Sequence, residues 1–368
     1  MPLNLLLLSR YDARGASSRL RTLQYRPALE ARGFTVAHVP LFGAAYLDAI
    51  YHSGGWARGR MRSAGHVAAA VMRRVATVLG ARRYDVIWIE KELFPYLPGV
   101  FEALLARTGI PYVVDYDDAI FHRYDRARSS AVRRLLSTKL DPLLAGAFAV
   151  TAGNRYLGDY ARRHGARRVE WVPTVVDTTR YPHRPEPNDK ALRIGWIGSP
   201  STAAYLPLVH RPLREVASER PIRLVTVGAP PLTLPGVPIE QHEWSLESEA
   251  HLIGDCHVGI MPLRDSPWEQ GKCGYKLIQY MACARPVVAS PVGVNPDIVG
   301  TDAGFLAADD AAWADAFRQL AASPARRAAM GRAGRARVEE SYALQVTAPR
   351  IAALLMEAAT SRHGNTAA

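Results

Sequence analysis

The stretch GIMPLRDSPWEQGKCGYKLIQYMACARPVVAS, residues 259–290, decides the fold. It holds the end of one short run, 257–261, and all of another, 286–290, with a turn and a helix between them. Runs of that length joined through a helix are the pattern of a parallel sheet, because parallel neighbours need a crossover to bring the chain back to the same edge. Gly271 and Gly274 lie in the turn, where a missing Cβ lets the backbone approach a ligand. Lys272 and Lys276 suit phosphate, Tyr275 stands beside Lys276, and Gln279 lies one turn beyond Lys276 on the helix.

The same alternation extends outward from this segment. Candidate strands toward the N-terminus are 3–9, 34–39, 86–90, 112–116, 148–152 and 169–172, with helical patterns at 18–32, 97–108, 131–145 and 154–164. Residues 181–191 are rich in proline and charge and lack apolar periodicity, which is the composition of a linker. Strands resume at 192–197 and 222–227, a helix spans about 202–218, and helices at 311–322, 324–341 and 345–361 follow. The predicted architecture is α/β: two doubly wound Rossmann-like domains facing a central cleft. The first covers 1–180, 181–191 is the linker, 192–344 is the second, and a helix at 345–361 packs back on the first.

Composition narrows the class. The chain has 368 residues, more than one core usually serves. It is 48% hydrophobic and 22% charged, as expected of a packed protein rather than a disordered one. The apolar run at 3–8 is too short for a membrane span and lacks the flanks of a signal peptide, so a cytoplasmic location is expected. Three cysteines, Cys256, Cys273 and Cys283, offer neither a disulfide framework nor zinc-ligand spacing. The net charge of +12 points to an anionic partner. Residues 56–83 hold seven arginines (Arg58, Arg60, Arg62, Arg73, Arg74, Arg82, Arg83) and no acid, with Val67, Val71, Val75, Val78 and Leu79 at roughly helical spacing. Such a helix either lies on an anionic membrane, making the protein peripheral there, or is simply a solvated helix. Nucleic acid is disfavoured, since no aromatic platform accompanies the basic stretches.

In open parallel sheets ligands gather at the carboxyl ends of strands, so the residues just after each strand carry the functional reading. After the first comes SRYDARGASSRLR, residues 9–21, where Gly15 and Arg19 at a helix entry suit an anion, and Ser17 or Ser18 alternatively caps an ordinary helix. Glu92 follows the third strand. Asp115, Asp117 and Asp118 crowd the end of the fourth, where like charges repel and a carboxyl can titrate abnormally. Asp117 and Asp118 are the expected catalytic pair, as base or sugar-hydroxyl ligand; Glu92, Gly15 and Arg19 are expected on the acceptor or phosphate side. In the second half, Gly198, Ser199, Ser201 and Thr202 follow a strand and suit a diphosphate, though they also make a good plain N-cap.

With these residues in place, the chain resembles glycosyltransferase family 4, a retaining group with the GT-B fold. Residues 280–289, YMACARPVVA, are similar to that family's A-M-A-[CS]-G-x-P-V-[VI]-A, and residues 172–181, VPTVVDTTRY, to its I-P-N-G-V-D-x-x-x-F. Thr151-Ala152-Gly153-Asn154 occupies its serine-bearing helix entry. The resemblance implies transfer of a hexose-type sugar, with retention, from a nucleoside-diphosphate sugar to a glycan or lipid-linked acceptor. It also implies that no cofactor is required, while the Asp115, Asp117 and Asp118 cluster leaves a divalent metal open. The donor would be bound by Gly198, Ser199, Ser201, Thr202, Arg264, Glu269, Lys272, Gly274, Tyr275, Lys276 and Gln279.

Departures from the family pattern are as informative. Its E-x7-E pair falls on Gly271 and Gln279, so glutamine would meet the nucleotide ribose and Glu269 would stand in toward the sugar. Its basic pair after the first strand of the second domain falls near Ser199 and Ala203 or Ala204, leaving Arg264, Lys272 or Lys276 to supply charge. Its histidine after the fourth strand falls on Asp117. Two other readings stand beside transfer: a non-catalytic nucleotide-sugar-binding partner subunit, and a nucleotide-sugar epimerase of the same fold.

Overall fold

The computed structural model describes residues 2–43, 56–106 and 108–364, without the side chains of 56–64, 106, 363 and 364. The chain forms two compact units, Met1–Pro173 with Thr347–Ala368, and Thr174–Val346. The first is built on a parallel six-stranded sheet: β1 (Leu3–Leu8), β2 (Phe34–His38), β3 (Val86–Glu90), β4 (Tyr112–Tyr116), β5 (Ala149–Ala152) and β6 (Val169–Trp171). Their spatial order is β2-β1-β3-β4-β5-β6. Leu5 to Leu8 and all of β3 are buried, so these strands read as continuous apolar runs because helices cover both faces. Each such side chain removed from water contributes about 1.5–3 kcal/mol.

The second unit carries β7 (Leu192–Ile197), β8 (Ile222–Val227), β9 (Ile239–His242), β10 (Val258–Met261), β11 (Val287–Ala289) and β12 (Gly304–Leu306), also all parallel. Their order is β12-β11-β10-β7-β8-β9, the dinucleotide-fold arrangement with its reversal between β7 and β10. In the first sheet the reversal falls between β1 and β3. Those two junctions are where ligand chemistry is expected. Trp196 and Ile260 from the central strands pack with Leu213 and Phe317 in one core layer. Leu277, Met281 and Ile298 pack in another.

Several elements are shorter than the sequence pattern implies. The expected helix at 18–32 is broken into α1 (Ala16–Arg21), a 3-10 turn (Leu23–Tyr25) and a short helix (Arg26–Glu30) with Pro27 in its first turn, where proline is tolerated. The expected helix at 202–218 begins as a 3-10 stretch containing Pro207 and becomes α-helical only over α3 (His210–Glu219). The basic segment forms α2 (Trp56–Leu79). In its described part Val78 is buried and Val67 rests against Leu41 and Phe42, whereas Leu79 is 74% exposed. Arg74 is buried too, donating to the Ser9 carbonyl at 2.7 Å and the Val39 carbonyl at 3.1 Å. The described stripe is thus divided, with Val78 in the core, Val71 and Val75 half-buried and Leu79 at the surface. The side chains of Arg58, Arg60 and Arg62 lie outside those described. No helix among the described residues is long and apolar enough to cross a membrane.

Residues 181–191 form no free linker. Tyr181 is 1% exposed, Glu186 forms a two-pronged pair with Arg327, and the Arg285 guanidinium donates to the Pro185 carbonyl at 2.8 Å. Their proline and charge content marks an extended, side-chain-tied segment of the second unit. The helix at the C-terminal end, α7 (Leu344–Gly364), starts in the second unit, and from Thr347 onward belongs with the first. There Arg350 donates to the Trp171 carbonyl at 2.9 Å and Glu357 pairs with Arg168 at 2.6 Å.

Candidate functional site

In the second unit, the chain leaves β7 at Gly198 and turns through Ser199 to Thr202. α4 (Tyr275–Ala282) brings Lys276 over that turn. A Cβ on Gly198 would lie 2.6 Å from the Thr202 hydroxyl oxygen and 2.9 Å from Lys276 Cε, so only glycine leaves room for the lysine stem. The ammonium ends 3.5 Å from Thr202 Oγ1 and 5.5 Å from the centre of the Trp196 ring, a cation–π contact. The backbone N–H groups of Ser199 and Ser201 have no internal acceptor among the described residues, and both hydroxyls are exposed, 3.0 Å apart. A fixed cation beside unpaired donors is a cradle for oxyanions. Gly198, Ser199, Ser201, Thr202 and Lys276 are thus brought together. Lys272 is half-buried and Arg264 exposed.

At the junction of the first unit, Lys91 follows β3 with φ +66°, in the left-handed region unusual for a residue with a side chain. The Glu92 N–H donates back to the Glu90 carbonyl at 2.8 Å, closing a three-residue turn around it. The turn directs the buried Lys91 ammonium to 2.8 Å from Asp117, 3.7 Å from Asp118 and 3.9 Å from Glu90. The Ser17 hydroxyl donates to the other Asp117 oxygen at 2.7 Å. Burial alone would raise the Asp117 carboxyl, but Lys91 and Arg21 outweigh it and hold it below the ordinary carboxylate range. Asp117 is therefore a standing anion, poorly matched to general-base work near neutral pH. Asp118 is the more open of the two.

Lys91 was within view in the sequence, between two glutamates at a strand end, but nothing in a linear pattern shows a lysine turning back over a neighbouring strand. Asp115 does not join a metal-ligand set with Asp117 and Asp118. Arg21 meets it in a forked pair at 2.6 and 2.9 Å and the Thr151 hydroxyl donates to it at 2.5 Å. Among the described residues no group of three or more His, Cys, Asp or Glu is placed to hold a metal ion. Ser18 does not cap α1; it accepts from the Tyr11 N–H and donates to Glu90, while Gly15 takes the N-cap position against the Tyr11 side chain. Arg19 donates to the Ala13 carbonyl at 3.0 Å, bracing this loop.

Residues 5–175 match the Glycosyl transferase 4-like domain, and residues 192–323 match Glycosyl transferases group 1. The chain belongs to the family 4-like glycosyltransferases. Its fold is the GT-B fold of solved family structures. Sucrose-phosphate synthase from Thermosynechococcus elongatus superposes with a TM-score of 0.67 at 17% identity, over 96% of this chain and 98% of that one. HepE from Anabaena, solved with UDP and glucose, does so with a TM-score of 0.67 at 16% identity, over 96% and 100%. A glycosyltransferase from Rickettsia africae gives 0.68 at 11%, over 97% and 98%. A search of curated proteins finds no match by sequence.

Against the family pattern, three expected roles meet a different geometry in this glycosyltransferase chain. Gln279 is 3% exposed and donates to the Tyr181 hydroxyl at 3.0 Å, which donates in turn to Glu249 at 2.8 Å. Lacking charge, it is held inward rather than offered to a ribose, and Tyr275 pairs with the same Tyr181. Glu269 is buried, its two oxygens accepting from the Tyr205 and Ser266 hydroxyls. Gly274 has φ +64° and its missing Cβ is filled by Ile298, so packing and backbone geometry, not ligand access, require glycine there. Glu92 is likewise interior. Lys139 at 2.7 Å, the Tyr124 hydroxyl at 2.6 Å and Arg10 at 3.2 Å consume it. Burial alone would raise its carboxyl; Lys139 and Arg10 hold it below the usual range.

Proposed function

We propose that this glycosyltransferase moves a hexose-type sugar, with retention, from a nucleoside-diphosphate sugar to a polysaccharide, glycolipid or similar acceptor. One observation carries the reading: Lys276 fixed over the Gly198–Thr202 turn, beside the uncommitted N–H groups of Ser199 and Ser201. Such a cradle stabilises charge that builds on a departing diphosphate. HepE, bound to UDP-glucose in one structure, supports a nucleotide-sugar donor of that kind. No side chain need act as nucleophile. The departing diphosphate can receive the acceptor proton, and the protein supplies placement and charge. In the first unit Asp118, with Asp117 held ionised beside Lys91, suits acceptance of hydrogen bonds from sugar hydroxyls.

The inward-held Gln279 favours a second reading, a nucleotide-sugar-binding partner without turnover. One experiment separates them. The intact chain is screened against UDP-, GDP- and dTDP-sugars by thermal shift, then assayed for nucleoside-diphosphate release. Stabilisation with release supports transfer, and stabilisation without release supports the partner. No stabilisation by any donor sinks both. Peripheral association with an anionic membrane on the cytoplasmic side through 56–83 is part of the proposal, resting on the exposed Arg82 and Arg83 beyond α2. Equal liposome binding after Arg82→Gln and Arg83→Gln would remove it.

A further inference from the structure

At the amino ends of β7, β8 and β10, the edge of the second sheet opposite the Gly198 turn, a cavity of about 320 Å³ opens. Asp189, Lys190 and Ala191 line it together with Arg220, Pro221 and His257. The join between α5 (Asp310–Ala322) and α6 (Pro324–Ser341) closes it through Pro324 and Arg327. The volume lies at the lower end of the range for small-molecule sites. Six residues of β7 separate it from Gly198, about 20 Å at strand rise.

The wall charges do not cancel. Asp189 accepts from the Ala191 N–H at 2.9 Å and sits 3.6 Å from Arg193 and 3.8 Å from Arg223, so its charge is answered outside the cavity. Arg327 is answered by Glu186. His257 accepts from the Arg193 N–H and stands 2.9 Å from the Pro187 carbonyl, an arrangement that a neutral ring satisfies. Two cations are left over. Neither Lys190 nor Arg220 has a carboxylate within ion-pair distance among the described residues. Arg220 spends one N–H on the Arg318 carbonyl at 3.3 Å, which leaves its charge unanswered by a carboxylate among the described residues. Cations at the wall of a cavity, with no carboxylate within ion-pair distance, favour an anion that enters it.

We propose that this cavity is a second anion site, taking a small phosphate-class oxyanion between Arg220 and Lys190. Bound there, the anion ties the 189–191 segment to the end of α3 and the start of α6. It thereby braces the root of the strand whose other end carries the Gly198 turn. The inference does not depend on the donor reading, because it concerns the opposite edge of the sheet.

The test uses inorganic pyrophosphate in calorimetry at constant ionic strength, on the full chain carrying Lys276→Ala so that the upper cradle is weakened. Saturable binding at millimolar concentration is expected. Arg220→Met with Lys190→Met should weaken it about tenfold or more, while Arg332→Met, an exposed charge removal on α6 away from the cavity, leaves it unchanged. Lys190→Glu, at an exposed position that folding tolerates, should weaken it by itself. Absence of saturable binding, or equal affinity in the Arg220 and Lys190 variants, overturns the site.

Discussion

Around β1, β3 and β4 charge is met by opposite charge inside the protein: Arg21 with Asp115, Lys139 with Glu92 and Glu102, Lys91 with Asp117. Around β7 the corresponding junction holds Lys276 over a glycine turn with exposed hydroxyls, and the N–H groups of Ser199 and Ser201 have no internal acceptor among the described residues. The first junction is preassembled and rigid, its charges committed before a ligand arrives. The second keeps backbone donors and hydroxyls open for a ligand to complete. A charge substitution should consequently be felt as stability in the first unit and as affinity in the second.

Four substitutions would break or sharpen that contrast. The largest effect is expected from Lys139→Met, which strands Glu92 and Glu102 in the interior. A loss of about 3–5 kcal/mol in urea unfolding is the expectation, and a change under 1 kcal/mol (about one ordinary surface contact) would show that these charges are not committed. Next comes Lys91→Met, with about 2 kcal/mol lost at neutral pH. The pH dependence has a definite sign. In the native chain the Asp117 carboxyl titrates below its unfolded value, so its contribution is present above about pH 4 and fades as pH falls through the folded value. Without Lys91, burial dominates and its folded value rises. The stability deficit of the variant should then be widest at pH 7–8 and narrow toward pH 5, whereas a deficit independent of pH would detach Lys91 from Asp117.

In the second unit, Lys276→Ala should weaken binding of a nucleoside diphosphate about tenfold, roughly 1.4 kcal/mol, with unfolding changed by less than about 0.5 kcal/mol. Unchanged affinity in calorimetry would move the phosphate site elsewhere. Gly198→Ala should have the smallest consequence. Its methyl displaces the Lys276 stem and costs about threefold in affinity, and improved binding would show that the stem does not lie over the turn with ligand present.

Much of the fold was legible because buried parallel strands are apolar without interruption. Val86–Glu90, Tyr112–Tyr116, Leu192–Ile197 and Ile222–Val227 have the bounds expected from sequence. The strands that escaped, β9 with IEQH and β12 with GFL, are edge strands whose side chains are largely half-buried or exposed, so they carry no apolar run. For the candidate site, the Gly198 turn and Lys276 were readable as types at strand and helix positions. The inward turn of Gln279, the loss of Glu92 to Lys139, and the arrival of Lys91 at Asp117 depend on which side chains meet across strands far apart in sequence. Linear spacing holds no record of that.

The membership of α7 has a consequence for synthesis. The chain crosses from the first unit to the second near residue 173 and returns near 346. Ile351, Leu355 and Ala358 are buried once the helix is home. The surface of the first unit that receives these residues therefore stays uncovered until the whole second unit and the helix have been made. A fragment ending at residue 173 should be sticky, whereas residues 174–346 should behave as a soluble piece.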